Sequence, residues 1–178
     1  HALDRRQRQM CIRDRNLSVS ICVRNILKYP NHWLTEFKEQ AVKDYDVLIV
    51  GAGISGIGSA CHLKMRCPQK SFKILESRSD IGGTWDLFQY PGIRSDSDMH
   101  TLGFSFKPWT DAKAIADGPS IKSYLQETVD EYDLYPHILF DHKVMDYSWS
   151  SVSKTWTVSL LEAGREKSLS CNFLMICS

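Results

Sequence analysis

The 178-residue chain lacks any apolar run near the ~20 residues a bilayer-spanning helix needs. Its longest apolar stretches, around 45–50 and 173–177, are of strand length. Net charge is almost absent, at +1, so no global field draws the protein to nucleic acid or to a membrane surface. None of the six cysteines (Cys11, Cys22, Cys61, Cys67, Cys171 and Cys177) belongs to a C-x-x-C pair. No group of cysteines and histidines has zinc spacing either, so no metal is expected. Cysteines scattered in this way are expected to be free thiols in a reducing compartment, which points to a cytoplasmic protein. The N-terminus lacks the basic, apolar and small-residue order of a secretory signal. The chain shows no internal repeat and no low-complexity tract.

What is present is ordinary for a globular domain: 43% hydrophobic and 24% charged residues. A chain of this length buries roughly 70% of its unfolded surface, enough for a real core. The charge is unevenly placed. Residues 1–43 hold nine Lys/Arg against four Asp/Glu, and residues 44–178 hold thirteen against seventeen. Residues 1–16, "HALDRRQRQMCIRDRN", have no periodicity and no initiating methionine. They resemble translated sequencing-adapter DNA and are expected to be non-native or disordered. Residues 17–43 read as an extension in which Asn31 caps a helix through Trp33, Phe37 and Gln40.

From Tyr45 the pattern sharpens. "YDVLIV" (45–50) is a continuous β-branched and apolar run, as a strand covered on both faces requires. "GAGISG" (51–56) follows, then a helix to about Arg66 with Ile54, Ile57, Cys61 and Met65 on one stripe, then a strand "FKILE" (72–76). This is a βαβ start, and it implies an α/β fold with a parallel sheet. In Gly51-x-Gly53-x-x-Gly56 the first glycine permits the tight turn, the second the approach of a pyrophosphate, and the third close packing of helix on strand. The helix N-terminus offers free N–H groups to the phosphates, and Ser55 adds a donor. Glu76 lies 20 residues after Gly56, where an acid binds a ribose hydroxyl. An acid there repels a 2′-phosphate, so this first site is expected to take FAD or NAD rather than NADP.

About forty residues separate the second strand from the next helix, which Gly118-Pro119 opens and which runs to about Tyr132 with Ile121, Tyr124, Leu125, Val129 and Tyr132 inward. A plain NAD domain turns into a helix within a few residues at this point. This loop instead carries Gly82-Gly83 and the aromatics Trp85, Tyr90 and Phe104, read as wall and core. Asp98 is read as a turn cap; His100, His137 and His142 as surface or satisfied histidines; Asp130, Glu131 and Asp133 as a solvated helix face; and Cys61 as core. Beyond the helix the period changes to two. "ILF" (138–140), "KVMDYSWS" (143–150) and "TWTVSLLE" (155–162) read as short strands, "GREK" (164–167) as a turn, and "SLSCNFLMIC" (168–177) as a final strand.

The run "GAGISG…ILE…GGTWDLFQYPGIRSDSDMHTLGFSFKPW" resembles the class B flavoprotein monooxygenases, the Baeyer–Villiger and flavin-containing enzymes, and most closely their ethionamide-activating subgroup. The resemblance spans about Tyr45 to Ser178. It implies a Rossmann-like FAD-binding domain over 44–178 with a small β-meander, incomplete at its C-terminus. It also implies FAD and NADPH as cofactors, and O2 and a small ketone, sulfide or amine as substrates, oxygenated through a C4a-peroxyflavin. Carried over, Gly51, Gly53, Ser55 and Gly56 hold the FAD pyrophosphate and Glu76 the adenosine ribose. Gly83, Thr84, Trp85, Asp86 and Leu87 line the flavin end. Arg94, Ser95 and Asp96 lie between flavin and nicotinamide. Val144 meets adenine through its backbone. Asp96 is the expected catalytic residue, orienting an arginine of an NADPH domain.

Many Baeyer–Villiger members have Cys at the position of Ser95 and Glu at that of Asp98, which bears on substrate preference. The family continues past the equivalent of Ser178 with a second glycine fingerprint and a substrate pocket. The chain is therefore expected to be an N-terminal portion that does not complete the cycle alone. Two other readings stay open: a different FAD-dependent oxidoreductase with two dinucleotide sites, and a non-catalytic FAD- or NAD-binding module. The missing dithiol after the second strand counts against a disulfide reductase.

Overall fold

The computed structural model describes residues 43–178. The expectations for 1–16 and for the helix after Asn31 lie outside the described residues. One six-stranded sheet organises the rest, in the order β3-β2-β1-β6-β5-β4. Its strands are β1 (Tyr45–Val50), β2 (Phe72–Leu75), β3 (Ile138–Leu139), β4 (His142–Ser150), β5 (Thr155–Glu162) and β6 (Arg165–Ile176). The first four in sheet order are parallel, with Ile49 opposite both Ile74 and Met175, and Ile74 opposite Ile138. The last pairings, β6 to β5 and β5 to β4, are antiparallel.

The sheet is therefore mixed rather than parallel throughout, and β6 is the reason. It is one long strand whose first part pairs with β5 and whose second part pairs with β1. "ILF", expected as a short strand, belongs to the parallel sheet beside β2. One expectation changes. The turn expected over "GREK" lies earlier, at Ala163-Gly164, because Arg165, Glu166 and Lys167 already pair with Glu162, Leu161 and Leu160. Both turn residues have positive φ, 49° and 79°, the two-residue hairpin geometry that follows the twist of the strands.

Strand alternation assigns the core to two sides. Val47 and Ile49 face helices α1 (Ile54–Arg66) and α4 (Gly118–Glu131), where Ile57, Cys61, Leu125 and Val129 are fully buried. Leu48 and Leu75 face the other way and pack with Val158, Leu160 and Cys171 of the meander. The meander thus covers the side of the sheet that these helices leave bare. Helix α1 has Lys64 and Arg66 in its last turn, complementing its C-terminal dipole end. Met65, expected on the inward stripe, is 42% exposed. It stands about 80° around the helix from Ile57, at the edge of the stripe. On α4, Ile121, Tyr124, Leu125 and Val129 are buried as the period predicts, and Tyr132 is half-buried just past the last turn.

The forty-residue connection is ordered by its own backbone. It contains two single turns, α2 (Thr84–Leu87) and α3 (Met99–Leu102). Ser95 N donates to Ala116 O, Met99 N to Ala114 O and Gly118 N to Ile93 O, at 2.8–3.0 Å. Ile81, Met99 and Ala116 anchor it in the core. Phe104 lies against Gly58, where a Cβ would come within 2.7 Å of the ring. It stacks on Phe106 at 4.9 Å, and its amide donates to the Tyr124 hydroxyl. Trp85 packs on the core as expected. Tyr90 does not: it is 59% exposed, at the start of a turn that Ile93 N closes on Tyr90 O at 3.3 Å. Asp98 caps α3 through its bond from Thr101 N.

Candidate functional site

The parallel strands β1, β2 and β6 end on one side of the sheet. The chain leaves β1 for β2 on one flank, while β6 arrives on the other. This is the switch point at which doubly wound sheets open a crevice beyond their carboxyl ends. A cleft of about 450 Å³ lies there. The first glycine turn forms its floor. Gly51 has φ +98° and a Cβ on it would lie 3.0 Å from Cys177 O. Gly56 sits behind the turn, where a Cβ would come to 1.9 Å from Gly51 O. No side chain fits at Gly56, so the turn closes tightly and the first amides of α1 face the cleft. These amides have no partner within the helix, and the first turn of α1 carries no acidic residue. Gly53 and Ser55 line the cleft beside them.

Glu76 follows β2 directly and is 4% exposed. Ala52 N donates to its Oε2 at 2.7 Å and Arg78 N to its Oε1 at 3.0 Å. The carboxylate is thus fixed by backbone donors on both sides, and it keeps acceptor capacity toward the cleft, which it lines. The second glycine turn meets the first. Gly83 has φ +55°, and a Cβ on it would lie 2.9 Å from Gly53 Cα. Gly82 N donates to Ala52 O at 3.0 Å. Thr84, Trp85 and Leu87 of α2 form the next stretch of wall, and Val144 of β4 the opposite one. A register shift between Val144 and Asp146 marks a bulge next to it, a feature that commonly re-aims a strand beside a site.

The remaining expected residues lie outside the cleft lining. Asp86 points away from the cleft into an ion cluster with Arg78 at 3.0 Å and Lys122 at 2.5 Å. Arg94 is exposed and bridges to Asp117 through its backbone. Ser95 is 2% exposed, and its Oγ is buried without a hydrogen-bond partner. Asp96 is exposed. Among the described residues no cluster of His, Cys, Asp and Glu is fit to hold a metal ion.

Sequence reasoning missed Arg78, Lys143 and the placement of His142. Arg78 and His142 both border the cleft. His142 is buried, with Nδ1 at 2.6 Å from Phe140 O and Nε2 at 3.1 Å from Glu162, so it is satisfied as expected yet forms wall. Only its position at the start of β4 next to Val144 hinted at this. For Arg78 the one signal was a base two residues after Glu76.

With this geometry in place, likenesses to known proteins take on meaning. The family described as the NAD(P)-binding Rossmann-like domain matches residues 49–127. The FAD-containing monooxygenase EthA of Mycolicibacterium smegmatis is 57% identical over 134 residues, 75% of this chain and 27% of that protein. The chain is homologous to the FAD-containing monooxygenases. The probable FAD-binding monooxygenase AlmA of Acinetobacter baylyi is 54% identical over 76% of this chain and 28% of its own length. Among solved monooxygenase structures, oxidized steroid monooxygenase bound to NADP superposes with a TM-score of 0.65 at 30% identity, over 75% of this chain and 26% of that one. An FAD-bound form of OTEMO gives 0.67 at 26% identity, over 76% and 25%. The chain thus spans about a quarter of the monooxygenases it matches.

Proposed function

We propose that the cleft binds FAD and that residues 44–178 are the FAD-binding domain of an NADPH-dependent flavin monooxygenase. The observation that carries this reading is the joining of the glycine cradle to a buried, backbone-fixed Glu76 at the switch point of the sheet. The residues present fit the cofactor. The amides at 53–56 receive the pyrophosphate, Glu76 accepts from the adenosine ribose, and the Val144 backbone borders the adenine. Thr84, Trp85, Leu87 and Gly83 border the flavin ring, with Asp86 supporting them from behind. Arg94, Ser95 and Asp96 serve a nicotinamide that reaches the flavin from a second domain. Asp96, which is exposed, orients an arginine of that second domain.

When bound, the flavin would supply oxygen transfer from O2 to a small ketone, sulfide or amine, with NADPH as the reductant. This chain's own contribution is to bind, orient and screen the cofactor. Turnover needs the residues for NADPH and substrate that its monooxygenase relatives carry in the rest of their length, so the 178 residues alone bind flavin without oxygenating substrate. No helix among the described residues is long and apolar enough to cross a membrane, and the free cysteines support a reducing, cytoplasmic setting. The test is reconstitution. The chain incubated with FAD and freed of excess is expected to retain about one flavin with perturbed visible bands, and Gly56→Ala is expected to retain none. A chain that retains no flavin, or a variant that retains as much as the wild type, refutes the reading.

A further inference from the structure

We propose that Arg78 is a positioning residue whose side chain sets the flavin end of the cleft far more than its adenosine end; this rests on the FAD reading above. Its backbone and side chain serve different parts of the site. Arg78 N donates to Glu76 Oε1 at 3.0 Å, and Arg78 O accepts from Asp141 N at 3.1 Å. The guanidinium reaches the other way. One terminal nitrogen donates to Gly83 O at 2.8 Å, and the other pairs with Asp86 Oδ2 at 3.0 Å. Its Nε stays 3.7 Å from Glu76 Oε1. A planar fork of donors can hold a carbonyl and a carboxylate together, which a point charge cannot.

Gly83 is the residue at which the second glycine turn touches the first, and its carbonyl also accepts from Asp86 N and Leu87 N of α2. Fixing that carbonyl fixes the contact between the turns and the start of the helix that carries Thr84, Trp85 and Leu87. Asp86 extends the hold to α4, since Lys122 lies 2.5 Å from its Oδ1 and 2.7 Å from Asp80 Oδ2. These bonds raise the Lys122 ammonium above its ordinary value, Asp80 foremost, and hold the Asp80 carboxyl below its own. Glu76, by contrast, is held at short range by the amides of Ala52 and Arg78 and by the Ser77 hydroxyl. None of these bonds needs the arginine side chain, whose own contact with Glu76 is the longer ion pair at 3.7 Å. Removing the guanidinium therefore keeps the short bonds of the carboxylate at the adenosine end and releases the turn at the flavin end.

The test uses the 178-residue chain carrying Arg78→Ala or Arg78→Lys, titrated by calorimetry with ADP and, separately, with FAD. The unliganded melting temperature is measured in parallel. Arg78→Ala is expected to lose only a few-fold in ADP affinity, through the long ion pair to Glu76, and roughly tenfold to a hundredfold in FAD affinity, as the loss of charge-assisted hydrogen bonds implies. Its bound flavin is expected to show visible bands closer to those of free flavin. Arg78→Lys, which retains one of the two contacts, falls between, and it carries the comparison alone if the alanine variant does not fold. Equal losses for ADP and FAD would mean a merely structural role and would overturn the proposal. Unchanged FAD affinity and spectrum would overturn it while leaving the FAD site standing. A wild-type chain that binds neither ligand removes the site reading and this inference with it.

Discussion

At the scale of single residues, the tightest constraint is at Gly56, where a methyl group would occupy the space of Gly51 O. Gly56→Ala must open the turn. It is expected to cost about 1–3 kcal/mol of stability, as overpacking does, read as a lower urea midpoint alongside the lost flavin. Glu76→Gln probes the buried acid. One oxygen can still accept from Ala52 N, but the amide nitrogen then faces Arg78 N, donor against donor. The expected penalty is roughly 1–3 kcal/mol, with weakened binding of ADP as well as FAD. The thiols of Cys61 and Cys171 are pushed up to about 12 and about 11, chiefly by burial. At pH 8 both are expected to resist alkylation in the native protein and to label only after denaturation, followed by mass spectrometry of the peptides. Glu76 was legible in the sequence because its spacing from the glycines follows from one strand and one helix. Arg78 was not, since its partners Gly83 and Asp86 are set by how a loop folds back.

At the scale of elements, the period of the apolar residues located β1, α1, α4, β4 and β5 close to their observed bounds. It placed neither the partner of "ILF" nor the double duty of β6, because both are long-range pairings with no local signature. The two single turns inside the connection were equally hidden, being held by backbone bonds to distant residues such as Ala114 and Ala116. Element ends make their own prediction. Asp117 caps α4 by accepting from Ser120 N and Oγ, and the Ser120 hydroxyl and Lys113 hold its carboxyl well below the usual carboxylate range. Asp46, before the centre of β1, is held low in the same way by Lys43 and then by Ser71 N. Groups with depressed folded-state values stabilise the fold above their unfolded value and lose that contribution as pH falls toward the folded one. The urea midpoint is therefore expected to be level from pH 8 to about 5 and to fall below about 4. Asp117→Ala is expected to lower the melting temperature at pH 7 and to do so less at pH 3.

At the scale of the whole molecule, the order of the strands makes the site. β1 lies between β2 and β6, so the glycine turn and Glu76 meet at one end of the sheet, and β6 carries the meander whose Val144 closes the opposite wall. This assembly was readable as a βαβ start followed by period-two strands. The positions of Arg94, Ser95 and Asp96 outside the cleft lining were not, for they depend on the path of a forty-residue connection. On the proposed FAD reading Glu76 would also make the site selective, because an acid at the ribose repels a 2′-phosphate. The most direct measurement is an equilibrium titration of the chain with FAD, repeated in the presence of ADP and of NADPH. One FAD per chain is expected, displaced by ADP and not by the same concentration of NADPH. Displacement of FAD by NADPH as effective as that by ADP, or no FAD binding at all, would contradict it.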